Sequence, residues 1–307
     1  MELHHTPVLL NESLGYLITD RSGIYFDGTL GFGGHSEEIL KLLNDDASLV
    51  ATDVDLDAFN FSKKKFKEEK RMKIYNLNFA QVGSISKIES IDHFTGIFVD
   101  LGVSSFQLDN AASGFTYQKD AKLDLRMDKT RAVSAADIVN SFSKEDIARI
   151  IYEFGEEKNS RKIASRIAER RSVNKIETTR QLRKIVSEIT PERFLVKTLS
   201  RVFQALRIYV NDELGALKTF LNDSVSLLKK GGRIVTLTYH SLEDRIVKEH
   251  FKFETLDCIC PKEFPVCKCN KEKRLNILTK KPVVPSEDEI RKNIRSRSAK
   301  LRVAERV

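Results

Sequence analysis

The sequence predicts an α/β protein whose doubly wound, mostly parallel sheet is interrupted by an inserted all-helical domain. Short apolar runs alternate with helical patterns over residues 23–102 and again over residues 214–240. The residues between these two stretches show only helical spacing. A length of 307 residues corresponds to about two domains of average size, so one domain interrupting the other fits both length and pattern.

Four predicted strands lie in the first hundred or so residues, at 24–26, 48–52, 72–77 and 96–99. They are apolar without the alternation of a sheet that faces water, which indicates helices on both faces. Helical patterns over residues 36–43 and 58–71 separate the first three strands. This order is typical of βαβ units and predicts a parallel sheet.

The middle of the chain predicts helices. Ser143 and Asp146 have the spacing of an N-cap and an acidic first turn, and apolar residues then recur at helical intervals. Thr179 is predicted to cap a later helix. The α/β pattern returns with an amphipathic helix over residues 214–228 and a strand over residues 233–238. We therefore expect a core formed by residues 1–108 and 206–307, and a helical domain, for RNA or substrate recognition, at 109–205.

The composition favours a soluble globular protein in the cytoplasm. Hydrophobic residues make up 41% of the chain and charged residues 31%, which excludes a low-complexity sequence. No apolar run reaches the roughly 18 residues of a membrane helix, and the first residues lack the pattern of a signal peptide. We expect no membrane partner.

The net charge of +8 is concentrated in two segments. Residues 158–207 carry fourteen Lys and Arg against four Glu, a net charge of +10. Residues 291–307 carry seven Lys and Arg against one Glu, a net charge of +6. Solvated helix faces would give the same counts, but two basic segments beside a remainder that carries a net charge of −8 favour contact with nucleic-acid phosphates.

A glycine-rich loop, residues 27–34, follows the first predicted strand and precedes a helix. Glycines there permit a tight turn and the close approach of a ligand. Asp53 follows the second strand, where a carboxylate can accept hydrogen bonds from a ribose diol. Together they predict a nucleoside-containing cofactor rather than a purely structural turn. Spacing leaves its identity open, although Asp27 suits a ligand with an ammonium group, such as S-adenosylmethionine.

Many motifs along nearly the whole chain resemble the bacterial RsmH (MraW) methyltransferases, including His240-Ser241-Leu242-Glu243-Asp244-Arg245. The others occur in the same order as in that family, at residues 5–12, 27–36, 100–105, 114–115, 123–128, 153–157, 203–208, 211–213 and 295–302. A set of motifs in order is far more specific than one glycine loop. The resemblance implies a Rossmann-like class I methyltransferase core that uses S-adenosylmethionine.

The resemblance also implies the reaction, which is N4-methylation of a cytosine, 1402 in the conventional numbering, in the decoding centre of 16S rRNA. The partner would be 16S rRNA within the small ribosomal subunit. Asp53 would hold the ribose, and Phe79 would pack on the adenine or near the sulfonium, unless it is a core residue. The cofactor positions carried over from the family are Gly33, Gly34, His35, Asp53, Phe79, Asp100 and Gln107.

Methyl transfer to an amine needs positioned acceptors near the amino group. Asp100 with Ser104 and Ser105 are the candidates for this catalytic role. His240 is a weaker candidate, for which an N-cap or other structural role is favoured. The basic residues expected to contact RNA are Arg161, Arg166, Arg170, Arg201, Arg207, Arg295, Arg297 and Lys300. The oligomeric state stays open.

The chain departs from the family pattern at three places. Phe106 and Ile294 stand where the family has Pro, and residues 196–199 replace a His-Pro-Ala-Thr run. These changes leave the cofactor positions intact. Two of them fall in the loop through Gln107 and just before the helix that contains Phe203.

Four cysteines form two C-x-C pairs, Cys258 with Cys260 and Cys267 with Cys269. A cytoplasmic location argues against disulfides. Zinc is the alternative, but C-x-C is tighter than the usual C-x2-C spacing. We therefore expect reduced thiols and no metal.

Two rival functions stay open. A non-catalytic RNA-binding ribosome-assembly factor that retains the fold would bind the subunit without turnover. A nicotinamide-dependent oxidoreductase would use the same glycine loop for a dinucleotide.

Overall fold

The computed structural model describes residues 7–103, 114–261 and 266–307. The chain divides into two compact units. The first unit combines Met1–Gly102 with Leu214–Val307, and the second is Val103–Glu213. The role of residues 109–205 as a recognition domain stays a prediction.

The first unit contains a seven-stranded sheet with the order β3-β2-β1-β4-β5-β7-β6. Strands β1 to β5 are parallel to one another, and β7 runs antiparallel to both β5 and β6. The predicted doubly wound α/β fold is therefore confirmed. The strands are β1 (Ile24–Asp27), β2 (Ser48–Thr52), β3 (Met72–Tyr75), β4 (Phe94–Asp100), β5 (Leu228–Thr238), β6 (Leu275–Ile277) and β7 (Lys300–Arg306).

Helices cover both faces of this sheet. Alternate residues of the central strands belong to two different apolar clusters, as Tyr25 and Phe26 do, because successive side chains of a strand point to opposite faces. The helices of the first unit are α1 (Leu10–Leu17), α2 (Gly34–Leu42), α3 (Leu56–Lys65), α4 (Val82–Ile88), α10 (Glu213–Leu227), α11 (Ser241–Glu254) and α12 (Glu287–Lys292). Single 3₁₀ turns occur at Phe79–Gln81 and Ile294–Ser298.

The second unit is built from helices around its own apolar core. Its helices are α5 (Ala135–Ser141), α6 (Lys144–Gly155), α7 (Ser160–Arg171), α8 (Thr179–Ser187) and α9 (Glu192–Asn211). Gly155 lets α6 approach α9 closely, since a Cβ there would lie 2.5 Å from the carbonyl oxygen of Arg201. Asn211, at the end of α9, holds the segment at residues 125–127, because its side chain accepts from Met127 N and donates to Leu125 O.

The caps of the second unit follow from short polar side chains. Ser143 Oγ accepts from Asp146 N over 3.0 Å, as its spacing predicts. The cap predicted at Thr179 is wrong by one residue. Thr178 Oγ1 accepts from Gln181 N, and the Gln181 side chain accepts from Thr178 N, so this reciprocal pair sets the start of α8.

Within the described part of the chain, no helix is both long enough and apolar enough to span a membrane.

Candidate active site

The candidate site lies where three neighbouring parallel strands end. Asp27 is the last residue of β1, Asp100 is the last residue of β4, and Asp53 directly follows β2. The strand order reverses direction between β1 and β4, since β2 and β3 lie on one side and β5 on the other. In open α/β sheets, ligands bind outside the carboxyl ends of the strands at this switch point.

The glycine loop between β1 and α2 depends on backbone conformations that favour glycine. Gly31 and Gly33 have φ values of +51° and +78°. A Cβ on Gly33 would lie 2.4 Å from Phe66 Cε2, whereas a Cβ on Gly31 would meet no atom within 4 Å. The loop is therefore packed against α3 at Gly33 and open at Gly31.

Asp27 is fully buried at the base of this loop. Its Oδ2 accepts from Ser36 Oγ over 2.6 Å and its Oδ1 accepts from Thr29 N over 3.0 Å. Burial raises the pKa of Asp27 to about 6, although both hydrogen bonds act in the opposite direction. Asp27 thus fixes the start of α2 to the turn that follows β1.

Asp53 closes the loop from the β2 side. Its Oδ2 accepts from Gly31 N over 2.7 Å and its Oδ1 accepts from Asp55 N over 2.8 Å. Burial raises the pKa of Asp53 to about 7 despite these two hydrogen bonds. The Asp53 carboxylate therefore both shapes the glycine loop and titrates near neutral pH.

Asp100 is held from two sides at the end of β4. Its backbone N donates to Thr29 Oγ1 over 2.6 Å, and its Oδ1 accepts from the Tyr239 hydroxyl over 2.8 Å. Burial raises the pKa of Asp100 to about 7, against the Tyr239 hydrogen bond. Burial also raises the pKa of Tyr239, and the Asp100 charge adds to that effect. Sequence reasoning missed Tyr239, although its position directly after β5 is a usable signal.

His35, in the first turn of α2, lies close to Asp100 at the same edge of the sheet. The His35 side chain is buried, with Nε2 3.2 Å from the carbonyl oxygen of Val8 and Nδ1 3.7 Å from Asp100 Oδ2. Its ring packs on Phe98 at a centroid distance of 4.6 Å. Gly34, another predicted cofactor residue, is the first residue of α2.

Phe79 follows β3 in a 3₁₀ turn that Asn78 caps. The Phe79 ring is half-buried and meets Phe220 edge to face, with ring centroids 5.4 Å apart. A Cβ added to Gly28 would lie 2.8 Å from Phe79 Cβ. Phe79 therefore lies against the backbone of the glycine loop while it also contributes to the apolar core.

His240 is the N-cap of α11. Its Nδ1 accepts from Glu243 N over 3.4 Å, and Glu243 Oε2 accepts in return from His240 N over 3.3 Å. His240 Nε2 lies 3.1 Å from Glu243 Oε1. These contacts give His240 a structural role, and its catalytic role stays a prediction.

Three predicted site residues, Ser104, Ser105 and Gln107, lie outside the described residues. The structure therefore gives no position for the catalytic serines or for the last predicted cofactor residue.

Several arginines expected to contact RNA form ion pairs within the second unit. Arg166 and Arg170 both pair with Glu188, at 2.7 and 2.6 Å. Arg201 pairs with buried Glu157 at 3.2 Å. Arg207 pairs with Glu213 at 2.8 Å, with both side chains largely buried. Contacts of this kind stabilise the unit itself.

Arg161 is exposed on α7, beside exposed Lys162. The two line a surface groove with Ser165, Arg166 and Glu169. In the basic segment near the end of the sequence, Arg295 and Arg297 are exposed, whereas Lys300 Nζ pairs with Asp244 at 3.0 Å. The predicted RNA contacts that are exposed are therefore Arg161, Arg170, Arg295 and Arg297, and of these Arg170 pairs with Glu188.

The sheet order with an antiparallel seventh strand is that of class I methyltransferases, a class whose methyl donor is S-adenosylmethionine. The family model described as the MraW methylase family matches residues 2–307. The chain belongs to this family.

Relatives with high coverage carry one name. The chain is 49% identical over 304 residues to the ribosomal RNA small subunit methyltransferase H of Caldicellulosiruptor bescii, with 99% of each chain covered. It is 43% identical over 305 residues to that of Fusobacterium nucleatum, covering 99% of this chain and 97% of the relative. A solved rRNA methylase from Streptococcus thermophilus aligns over 97% of this chain and 93% of its own with 8% identity and a TM-score of 0.43.

The residues present fit S-adenosylmethionine. This donor carries a sulfonium and an ammonium group, and three carboxylates at one sheet edge supply the matching negative charge. The open space at Gly31 leaves room for a ligand against the loop backbone. Asp53, beside that glycine, is placed where a ribose diol can donate hydrogen bonds.

Proposed function

We propose that this protein transfers a methyl group from S-adenosylmethionine to the N4 amino group of a cytosine, number 1402, in the decoding centre of 16S rRNA. The observation that carries the proposal is the trio Asp27, Asp53 and Asp100 at the switch point of the sheet. Membership in the MraW methylase family supports methyl transfer, and the relatives named as ribosomal RNA small subunit methyltransferase H support the RNA substrate.

The cofactor residues divide by chemistry. Asp53 accepts hydrogen bonds from the ribose diol, and Asp27 and Asp100 hold the positive end of the donor by charge. Phe79 lies where it can pack on the adenine beside the loop backbone. The remaining members of the cofactor set are Gly33, Gly34, His35 and Gln107.

A cytosine amino group is a weak nucleophile because its lone pair is delocalised into the ring. When bound, S-adenosylmethionine supplies an electrophilic methyl group, so that the N–C bond forms as the S–C bond breaks. Most of the acceleration then comes from positioning the amine in line with that methyl group. Asp100, with a pKa of about 7, accepts the proton that the amine loses, and Ser104 and Ser105 help to orient the amine.

The target base must leave its stack or already be single-stranded. We propose that exposed cations hold the surrounding phosphates, with Arg161 on α7 and Arg295 and Arg297 near the end of the sequence. Arg166, Arg170, Arg201, Arg207 and Lys300 keep their intramolecular partners and contribute less to RNA affinity.

The activity is tested with small ribosomal subunits from cells that lack this methylation. Purified protein and labelled S-adenosylmethionine should yield N4-methylated cytidine after nuclease digestion and mass spectrometry. If the protein binds both cofactor and subunit but forms no product at any assembly stage, it is the non-catalytic assembly factor. A thermal shift with NAD(H) but not with S-adenosylmethionine would instead indicate the oxidoreductase.

The RNA surface is tested by reversing charge. Arg161→Glu with Lys162→Glu should weaken binding to 16S rRNA and lower the slope of log affinity against log salt by about 1 per lost phosphate contact. Lys67→Glu, at an exposed position in the first unit, is the matched control. Equal effects of the two changes would contradict the proposed surface.

A further inference from the structure

The four cysteine thiols converge in the segment that joins α11 to β6. All four are free, and their Sγ atoms lie within 4.8 Å of one another. Cys267 Sγ is 3.5 Å from Cys258 Sγ, 3.5 Å from Cys269 Sγ and 4.0 Å from Cys260 Sγ. Cys269 Sγ is 3.9 Å from Cys258 Sγ. Two C-x-C pairs that are seven residues apart in sequence therefore form one four-sulfur cluster.

These separations match a tetrahedron of thiolates around one ion. With zinc–sulfur bonds of about 2.3 Å, the edge of a regular tetrahedron is about 3.8 Å. A disulfide would need sulfurs about 2.05 Å apart, well below the separations observed. A cluster of several iron atoms would bind its thiolates through different metals. Four Sγ atoms that all lie within 4.8 Å of one another are too close together for that arrangement.

Backbone N–H groups point at the sulfurs in a reciprocal pattern. Ile259 N, in the middle of the first pair, donates to Cys269 Sγ over 3.3 Å. Lys268 N, in the middle of the second pair, donates to Cys260 Sγ over 3.2 Å. Donors of this kind stabilise thiolates and orient metal ligands. Each short C-x-C pair can therefore supply two ligands to one ion, although its spacing is tighter than C-x2-C.

Regular secondary structure does not stabilise the described residues of this segment. Its described residues between Glu254 and Leu275 contain no helix or strand, and Ile259 and Val266 are 48% and 67% exposed. At its base, Glu254 pairs with Arg274 at 2.6 Å and with Lys271 at 3.2 Å. A connection of this length without its own apolar core is uncommon in a compact domain. A metal ion bound by the four thiols would cross-link this segment.

We propose that Cys258, Cys260, Cys267 and Cys269 bind one Zn²⁺ in a closed, structural site. Four protein thiolates complete a tetrahedron and leave no open position for a substrate, so the ion orders the segment and takes no part in methyl transfer. A tetrahedral set of four sulfurs also suits a single iron, but zinc is redox-inert and needs no change in the geometry. The inference is independent of the proposed reaction.

Metal analysis of the full chain, purified without a metal-binding tag, tests the site. We expect about one zinc per chain, released when the four thiols are titrated with a mercurial. The double variant Cys267→Ser with Cys269→Ser should lose zinc. Lys268→Ala is the matched control, because it changes a side chain between the two ligands but keeps the backbone donor, and it should retain zinc.

A second measurement follows the order of the segment. Limited proteolysis should cut the serine variant, but not the wild-type protein or Lys268→Ala, between Glu254 and Leu275, while circular dichroism shows that the rest of the fold persists. Three results would overturn the proposal. They are a wild-type chain that neither contains nor takes up zinc, a serine variant that keeps it, and a chain whose metal is iron with thiolate absorption in the visible range.

Discussion

Tyr239 donates its phenolic hydrogen to Asp100 over 2.8 Å, which joins the carboxyl ends of two neighbouring strands, β5 and β4. Thr29 holds the backbone of the same aspartate from the end of β1. Asp100 is thus held on both sides, through its backbone by Thr29 and through its carboxylate by Tyr239. It is the one carboxylate of the described trio that accepts from a side chain across the sheet.

Removing this contact should change the titration of Asp100. In Tyr239→Phe a hydrogen bond that favours the carboxylate is lost, so the pKa of Asp100 should rise above about 7 by roughly one unit. The pH at which S-adenosylmethionine affinity falls on acidification should move upward by the same amount, as measured by calorimetry. Tyr152→Phe, at a 60% exposed position, should leave it unchanged. An identical profile in both variants would refute the coupling.

The ribose role of Asp53 predicts a loss of cofactor affinity. Asp53→Asn keeps the shape of the side chain but removes the charge and one acceptor, so the Kd for S-adenosylmethionine should rise about tenfold or more. Asp57→Asn, an exposed position in the first turn of α3, is the control. Unchanged affinity in Asp53→Asn would mean that the ribose lies elsewhere.

The three carboxylates at the switch point make the ligand-free protein sensitive to pH. Their folded pKa values, about 6 for Asp27 and about 7 for Asp53 and Asp100, lie above the ordinary value of 3.8. Between about pH 4 and pH 7 the folded state then binds more protons than the unfolded state, so these groups lower the free energy of unfolding as pH rises. Above about pH 7 their contribution is constant.

Urea denaturation at several pH values measures this trend, and Asp53→Asn should show a shallower decline because one titrating group is absent. A decline as steep as that of the wild type would show that Asp53 ionises normally in the folded chain.

Gly33 in the glycine loop and Gly15 in α1 have different backbone conformations, which predict opposite effects of substitution by alanine. Gly33→Ala forces a side chain into a left-handed position against Phe66 and should destabilise the fold by about 2 kcal/mol or more. Gly15→Ala, inside α1 with no atom within 4 Å, should stabilise it by about 0.5–1 kcal/mol. Thermal midpoints that shift in opposite directions would support the geometry. A neutral Gly33→Ala would contradict it.

Much of the fold follows from local sequence patterns. Strand β2 has the predicted bounds, and β1 and β4 extend the predicted runs by a few residues, because buried strands are read directly from short apolar segments. The predicted start of β5 at residue 233 is five residues too late. Gly231 and Gly232 predict a turn, but they lie within the strand. Leu228 pairs with Phe94 and the next pair is Arg233 with Gly96, so both glycines lie in an irregular part of the strand, where Gly231 has a φ of +73°.

The site was only partly predictable for a related reason. Asp53 and Asp100 could be found because each follows an identifiable strand. The contact of Tyr239 with Asp100 depends on β5 lying beside β4, and strand order is not encoded in periodicity. The basic segment at residues 291–307 predicts RNA contacts, but its last part forms β7, in which Arg302 and Lys300 both pair with Asp244. Composition alone cannot distinguish a paired cation from a surface cation.

Strand β7, the last of the seven along the chain, lies inside the sheet between β5 and β6. During synthesis the sheet therefore stays open until residue 306 has left the ribosome, long after β1 to β4 have emerged. A nascent chain stalled before residue 300 would present the unpaired edge of β5 and leave β6 without a neighbour. Emergence of β7, rather than of the glycine loop, then sets the moment at which this sheet can close.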